Sequence, residues 1–132
     1  MNSELFTLVV IAIGGLSGMA SLALAAYLHI MRGREVELAL SGGLQSHVEA
    51  SRAGGLYFDV MRVVHHGYFF MHRGLEGEAA KRMYPNARFD QISPRDYFLY
   101  RLAAALSLLG VILMGGGYIL GRATGMIEET IF

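Results

Sequence analysis

Two stretches without Asp, Glu, Lys or Arg, residues 5–31 and 102–120, constrain this chain more than any other feature. A helix needs about 20 apolar residues to cross a hydrocarbon core of roughly 30 Å, and each stretch is long enough. The pattern predicts an all-α membrane protein: a hairpin of two transmembrane helices joined by a cytoplasmic helical loop. The expected parts are a first span at 1–31, a loop at 32–93 with an amphipathic helix near 56–73, and a second span with a short outer tail at 94–132. With 132 residues in all, the loop is too short to hold a second domain with a core of its own.

The first stretch has Glu4 and no Lys or Arg ahead of it, and it exceeds the length of a signal-peptide core. It therefore reads as an uncleaved anchor. Basic residues near the span ends orient a membrane helix. Arg32 and Arg34 follow the first span, and Arg82, Arg88 and Arg95 precede the second. This places the loop in the cytoplasm and both termini outside. Arg101 and Arg122 bracket about 31 Å of helix, which matches the hydrocarbon thickness. With Tyr27 they are the expected membrane-edge anchors, their polar ends in the headgroups.

Local signals place the helix ends. Ser3 reads as the first N-cap. The first helix is expected to continue through Glu35 and Glu37 until Gly42 and Gly43 stop it. A short helical piece is expected at 44–53, a turn at 74–77 and one or two helical turns at 78–84. Ser93-Pro94-Arg95-Asp96 places a cap, a proline at the first helical position and a carboxylate at the third, so the second long helix should start at Pro94.

Within the loop, Tyr57, Val60, Met61, Val64, Tyr68 and Met71 recur at helical spacing. Asp59, Arg62, His66 and Arg73 mark the opposite, polar side, with Gly67 as a weak point. The expected docking residues are Tyr57, Met61, Val64 and Tyr68, against the spans or a partner. The spans carry small residues four apart: Gly14 and Gly18 in the first, Gly117, Gly121 and Gly125 in the second. In lipid such rows let helix backbones approach closely, so these five are the expected helix-packing positions.

The chemistry is sparse. There is no cysteine, which excludes disulfides, thiol catalysis and cysteine-ligated metal. The five histidines include no helical i, i+4 pair to chelate a metal, and the second span offers none to a haem. No nucleophile set, phosphate loop or mid-span charge is recognisable. A net charge of zero gives no footprint for nucleic acid. The reading is a protein without catalytic, cofactor or metal residues, whose partners are membrane lipid and other membrane subunits or a second copy of itself.

An apolar N-terminal span at 5–30, a loop with an aromatic-rich segment at 56–73 and a basic approach to a second span at 95–120 resemble the plan of the universal stress protein B family, small bacterial two-span membrane proteins. The resemblance is one of plan, and it implies no catalytic residues. The expected function is a non-enzymatic accessory, structural or assembly subunit of a larger inner-membrane complex. The alternatives are a small self-associating membrane-stress or pore-forming protein, and a metal- or haem-binding redox subunit.

Overall fold

The computed structural model describes residues 2–42, 55–73, 82 and 85–125. The pieces expected at 44–53, 74–77 and 78–84 lie outside these residues, Arg82 apart. Among the described residues every regular element is helical: α1 (Ser3–Met31), α2 (Gly33–Leu40), α3 (Leu56–Arg73), a single 3-10 turn (Phe89–Gln91) and α4 (Pro94–Ala123).

Asn2, rather than Ser3, caps α1. Its extended backbone brings Oδ1 to accept from the backbone N–H groups of Glu4 at 2.6 Å and Leu5 at 3.3 Å. Ser3 is already helical, and its carbonyl accepts from Thr7 Oγ1. The expected unbroken helix to Gly42 is also corrected. The chain leaves helical geometry at Arg32 (φ −129°, ψ −8°) and restarts as α2. Gly33, a poor helix former, follows the break, and the Arg32 side chain is drawn across to α4. Gly42 ends α2 with φ +73°, a left-handed conformation suited to glycine. At α4, Ser93 accepts from the Asp96 N–H and Pro94 opens the helix, as the sequence predicts.

Both α1 and α4 are long and apolar enough to cross a membrane. They run side by side in opposite directions. Arg32 meets Asp96 near one end, Ser21 Oγ donates to the Ala103 carbonyl at 2.7 Å further along, and Ile11 lies against Gly117 near the other end. Only 22% of each apolar window is buried within the chain. Leu16, Met19, Val111 and Ile119 are all about two-thirds exposed.

The hydrophobic core sits at the Arg32–Asp96 end. There α2, α3 and the 3-10 turn close over the long helices, burying Leu28, Val36, Val63, Phe70, Ile92, Tyr100 and Ala103. The Arg88 N–H donates to the Ala39 carbonyl at 2.7 Å, tying the approach to α4 back to the end of α2.

Candidate functional site

The seam between α1 and α4 is built from backbone surfaces. A Cβ added at Gly110 would lie 3.0 Å from the Gly14 carbonyl oxygen and from the Gly18 nitrogen. One added at Gly14 would meet Leu113 and Met114 at 2.9 Å, and one at Gly117 would meet Ile11 at 2.5 Å. Side chains at these positions would force the helices apart, so the glycines set the separation. The expected positions divide as follows. Gly14, Gly117 and Gly121 are buried. Gly18 offers its backbone to Gly110, although its own Cβ position is open. Gly125 lies beyond α4 with φ +76° and open space around it, so it follows the helix end and is not part of the seam. Gly110, outside the expected row, makes the central contact.

α3 bridges the two long helices near their Arg32–Asp96 end. Gly67 presses on α4, where a Cβ would collide with the Tyr100 carbonyl and come within 2.8 Å of the Ala104 Cβ. Phe70 packs at a tilt against Tyr97 and edge-on against Tyr100, at ring separations of 5.2 and 5.9 Å, and Tyr97 Oη donates to the Phe70 carbonyl at 2.9 Å. The face turned inward differs from the expected one. Val64 is buried and Tyr68 half-buried, but Tyr57 (71%) and Met61 (46%) are exposed. Asp59 and His66, expected on the polar side, are buried. The helix is rotated because its smallest surface, at Gly67, is what fits α4, and its charged groups find partners inside.

Those partners form a network across three helices. Asp59 Oδ2 lies 3.2 Å from His29 Nε2 on α1, and Asp59 Oδ1 takes the Arg62 guanidinium. Arg62 Nε lies 2.9 Å from Glu37 Oε1 on α2. Buried charges persist only where they are paired and hydrogen-bonded, and here the pairing fixes α3 against α1 and α2. His66, packed near the Tyr100 ring, is pushed down to about pKa 3 by burial, with the His65 and Arg62 charges adding to the shift. It is neutral at physiological pH.

At the same end Arg32 holds Asp96 with a two-point fork. Nε lies 3.1 and 3.0 Å from the two carboxylate oxygens, and Nη2 lies 2.7 Å from Oδ2. The carboxylate raises the Arg32 pKa above its ordinary value. A cavity of about 240 Å³ opens beside this pair, lined by Tyr27, Arg32, Ser93, Arg95, Asp96 and Leu99. A second, apolar groove of about 360 Å³ runs between Gly18, Leu22, Met61, Gly110 and Val111. Of the expected anchors, Arg101 lies over the Tyr97 ring at 5.2 Å and Arg122 over the Tyr118 ring at 5.9 Å, while Tyr27 is partly exposed at the cavity wall.

Among the described residues, no group of three His, Asp or Glu side chains is arranged to hold a metal ion. The Arg32–Asp96 and Glu37–Arg62 pairs lay beyond sequence reasoning, since their partners are distant in the chain. The i, i+3 spacing of Asp59 and Arg62 was the one local hint of the network. Comparison with protein families, with curated proteins and with solved structures finds no match to this chain.

Proposed function

We propose that this chain is a non-enzymatic accessory or assembly subunit of a larger complex in a bacterial inner membrane, with α1 and α4 as a transmembrane hairpin, α2 and α3 in the cytoplasm and both termini outside. The carrying observation is a division of labour between surfaces. Three ion pairs at the loop end hold the helices together: His29 and Asp59, Arg62 and Glu37, Arg32 and Asp96. The long flanks of α1 and α4, by contrast, are apolar and uncovered. Gly115 and Gly116 lie on that uncovered surface, where a Cβ would meet nothing within 4 Å. Glycine weakens a helix by up to about 1 kcal/mol relative to alanine, so glycines with no internal contact suit a face that receives another helix closely.

Stoichiometric association tests the reading. The tagged protein, purified from its own membrane in a mild detergent, should carry unrelated membrane chains in a fixed ratio. Gly116→Leu should release them while leaving insertion intact. Recovery as a homo-oligomer alone would overturn the accessory role in favour of the self-associating membrane-stress or pore-forming one.

A further inference from the structure

We propose that the cavity between Tyr27, Arg32, Ser93, Arg95, Asp96 and Leu99 is a binding site for the phosphate group of an anionic membrane lipid. The inference rests on the membrane reading above and adds a ligand to it.

The cavity lies where both apolar stretches end: Tyr27 and Arg32 close the first, and Arg95 to Leu99 lie just ahead of Arg101, which opens the second. In a hairpin spanning the bilayer this is headgroup level. Its lining is graded to match, with Tyr27 and Leu99 on the apolar side and Arg32, Ser93 and Arg95 on the polar side.

Two arginines and one carboxylate line the cavity. Asp96 engages Nε and Nη2 of Arg32, which leaves Nη1 for a further acceptor. The fork also fixes the Arg32 plane, so no side-chain ordering is needed when an anion arrives. Arg95 supplies the second cation from an exposed position. Arginine pairs readily with phosphate oxygens, and basic pockets between membrane helices on the cytoplasmic side are suited to anionic headgroups. The Asp96 N–H is already occupied by Ser93 Oγ, so the cations and not the α4 terminus carry the site; the Ser93 hydroxyl keeps its own proton to donate. At about 240 Å³ the cavity admits a phosphate with part of its glycerol.

The full chain reconstituted in phosphatidylcholine vesicles, with and without phosphatidylglycerol, tests the site. Flotation under alkaline wash comes first, since it reads membrane insertion alone. Failure to float would overturn the membrane reading and the lipid site with it. Lipid retained per chain is then read by native mass spectrometry. The wild type should retain phosphatidylglycerol preferentially. Arg95→Gln should lower that retention about five-fold, the worth of one interfacial cation. Arg95→Lys should recover part of it, and Arg88→Gln, the same charge change elsewhere in the loop, should leave it within about two-fold. Helical circular dichroism of Arg95→Gln excludes misfolding as the cause. Normal flotation with equal retention in Arg95→Gln and Arg88→Gln would overturn the site and leave the membrane reading standing. Release of the lipid by millimolar inorganic phosphate would overturn the lipid as its ligand in favour of free phosphate.

Discussion

Gly67 of α3 and Tyr100 of α4 meet backbone to backbone: the space a Cβ would need at Gly67 is held by the Tyr100 carbonyl. The contact seats α3, for it lets Phe70 reach the Tyr97 and Tyr100 rings one turn away. Gly67→Ala should therefore destabilise the α3 dock despite alanine's better helix propensity. Overpacking of this kind costs about 1–3 kcal/mol, against about 1 kcal/mol gained in propensity. Hydrogen exchange along α3 in detergent is the measurement. Equal or slower exchange in the variant would mean that α3 is not seated on Tyr100.

The glycines of the long helices should separate into two classes. Gly110→Leu should weaken the α1–α4 seam, because its side chain would enter the backbone of Gly14 and Gly18. Gly115→Ala, which meets nothing within 4 Å, should leave the isolated protein as stable or stabilise it by up to about 1 kcal/mol. Unfolding by denaturant in detergent compares them. If Gly110→Leu were silent, the seam would not be the contact that holds the helices.

These cases mark how far the sequence could be read. The long helices were legible because charge is excluded from one kind of surface and ends sharply at Arg32, Arg101 and Arg122. The cap at Ser93 was legible because capping is local. The seam was half legible: small residues at four-residue spacing show where backbones can approach, but a helix carries several such rows, and only the facing helix selects Gly110 over Gly125. The face of α3 was misread for a related reason. Periodicity weighs side chains by size and polarity, so Tyr57 and Met61 counted as buried and Asp59 and His66 as exposed. The fold instead seats the smallest residue and pairs the charges internally. At the break after Met31 only Gly33 is a local signal; the link of Arg32 to Asp96, 64 residues away, leaves none.

His66 makes a pH prediction. Its folded pKa, about 3, is below its ordinary value of 6.5 because burial disfavours the cation. The unfolded chain takes up the proton first on acidification. The stability due to neutral His66 is thus fully present above about pH 6.5 and is lost progressively toward pH 3, amounting to about 2 kcal/mol at pH 5. The comparison is with His66→Gln, which should lose less stability between about pH 7.5 and about pH 5 than the wild type. Identical losses would refute a buried neutral imidazole.

The proposed topology predicts an accessibility pattern. Cysteines substituted for Gln91 and Thr124, both exposed, lie at opposite ends of α4. In intact cells a membrane-impermeant thiol reagent should label the Thr124→Cys variant and spare Gln91→Cys, because the arginines before Pro94 hold that end in the cytoplasm. The reverse labelling would invert the hairpin.

The Arg32–Asp96 pair should behave asymmetrically. The Asp96 side chain is 4% exposed and that of Arg32 is 40% exposed. Removing the cation strands a buried carboxylate, whereas removing the carboxylate leaves a guanidinium that water can reach. Arg32→Leu should therefore cost about 2 kcal/mol, discounted from the range for fully buried pairs because solvent already screens the arginine. Asp96→Leu should cost about 1 kcal/mol, and the double substitution less than the sum of the two. Denaturant unfolding of the four proteins in one detergent closes the cycle. Strictly additive losses would mean that the fork contributes no coupling, and that the break at Arg32 is set by Gly33 alone.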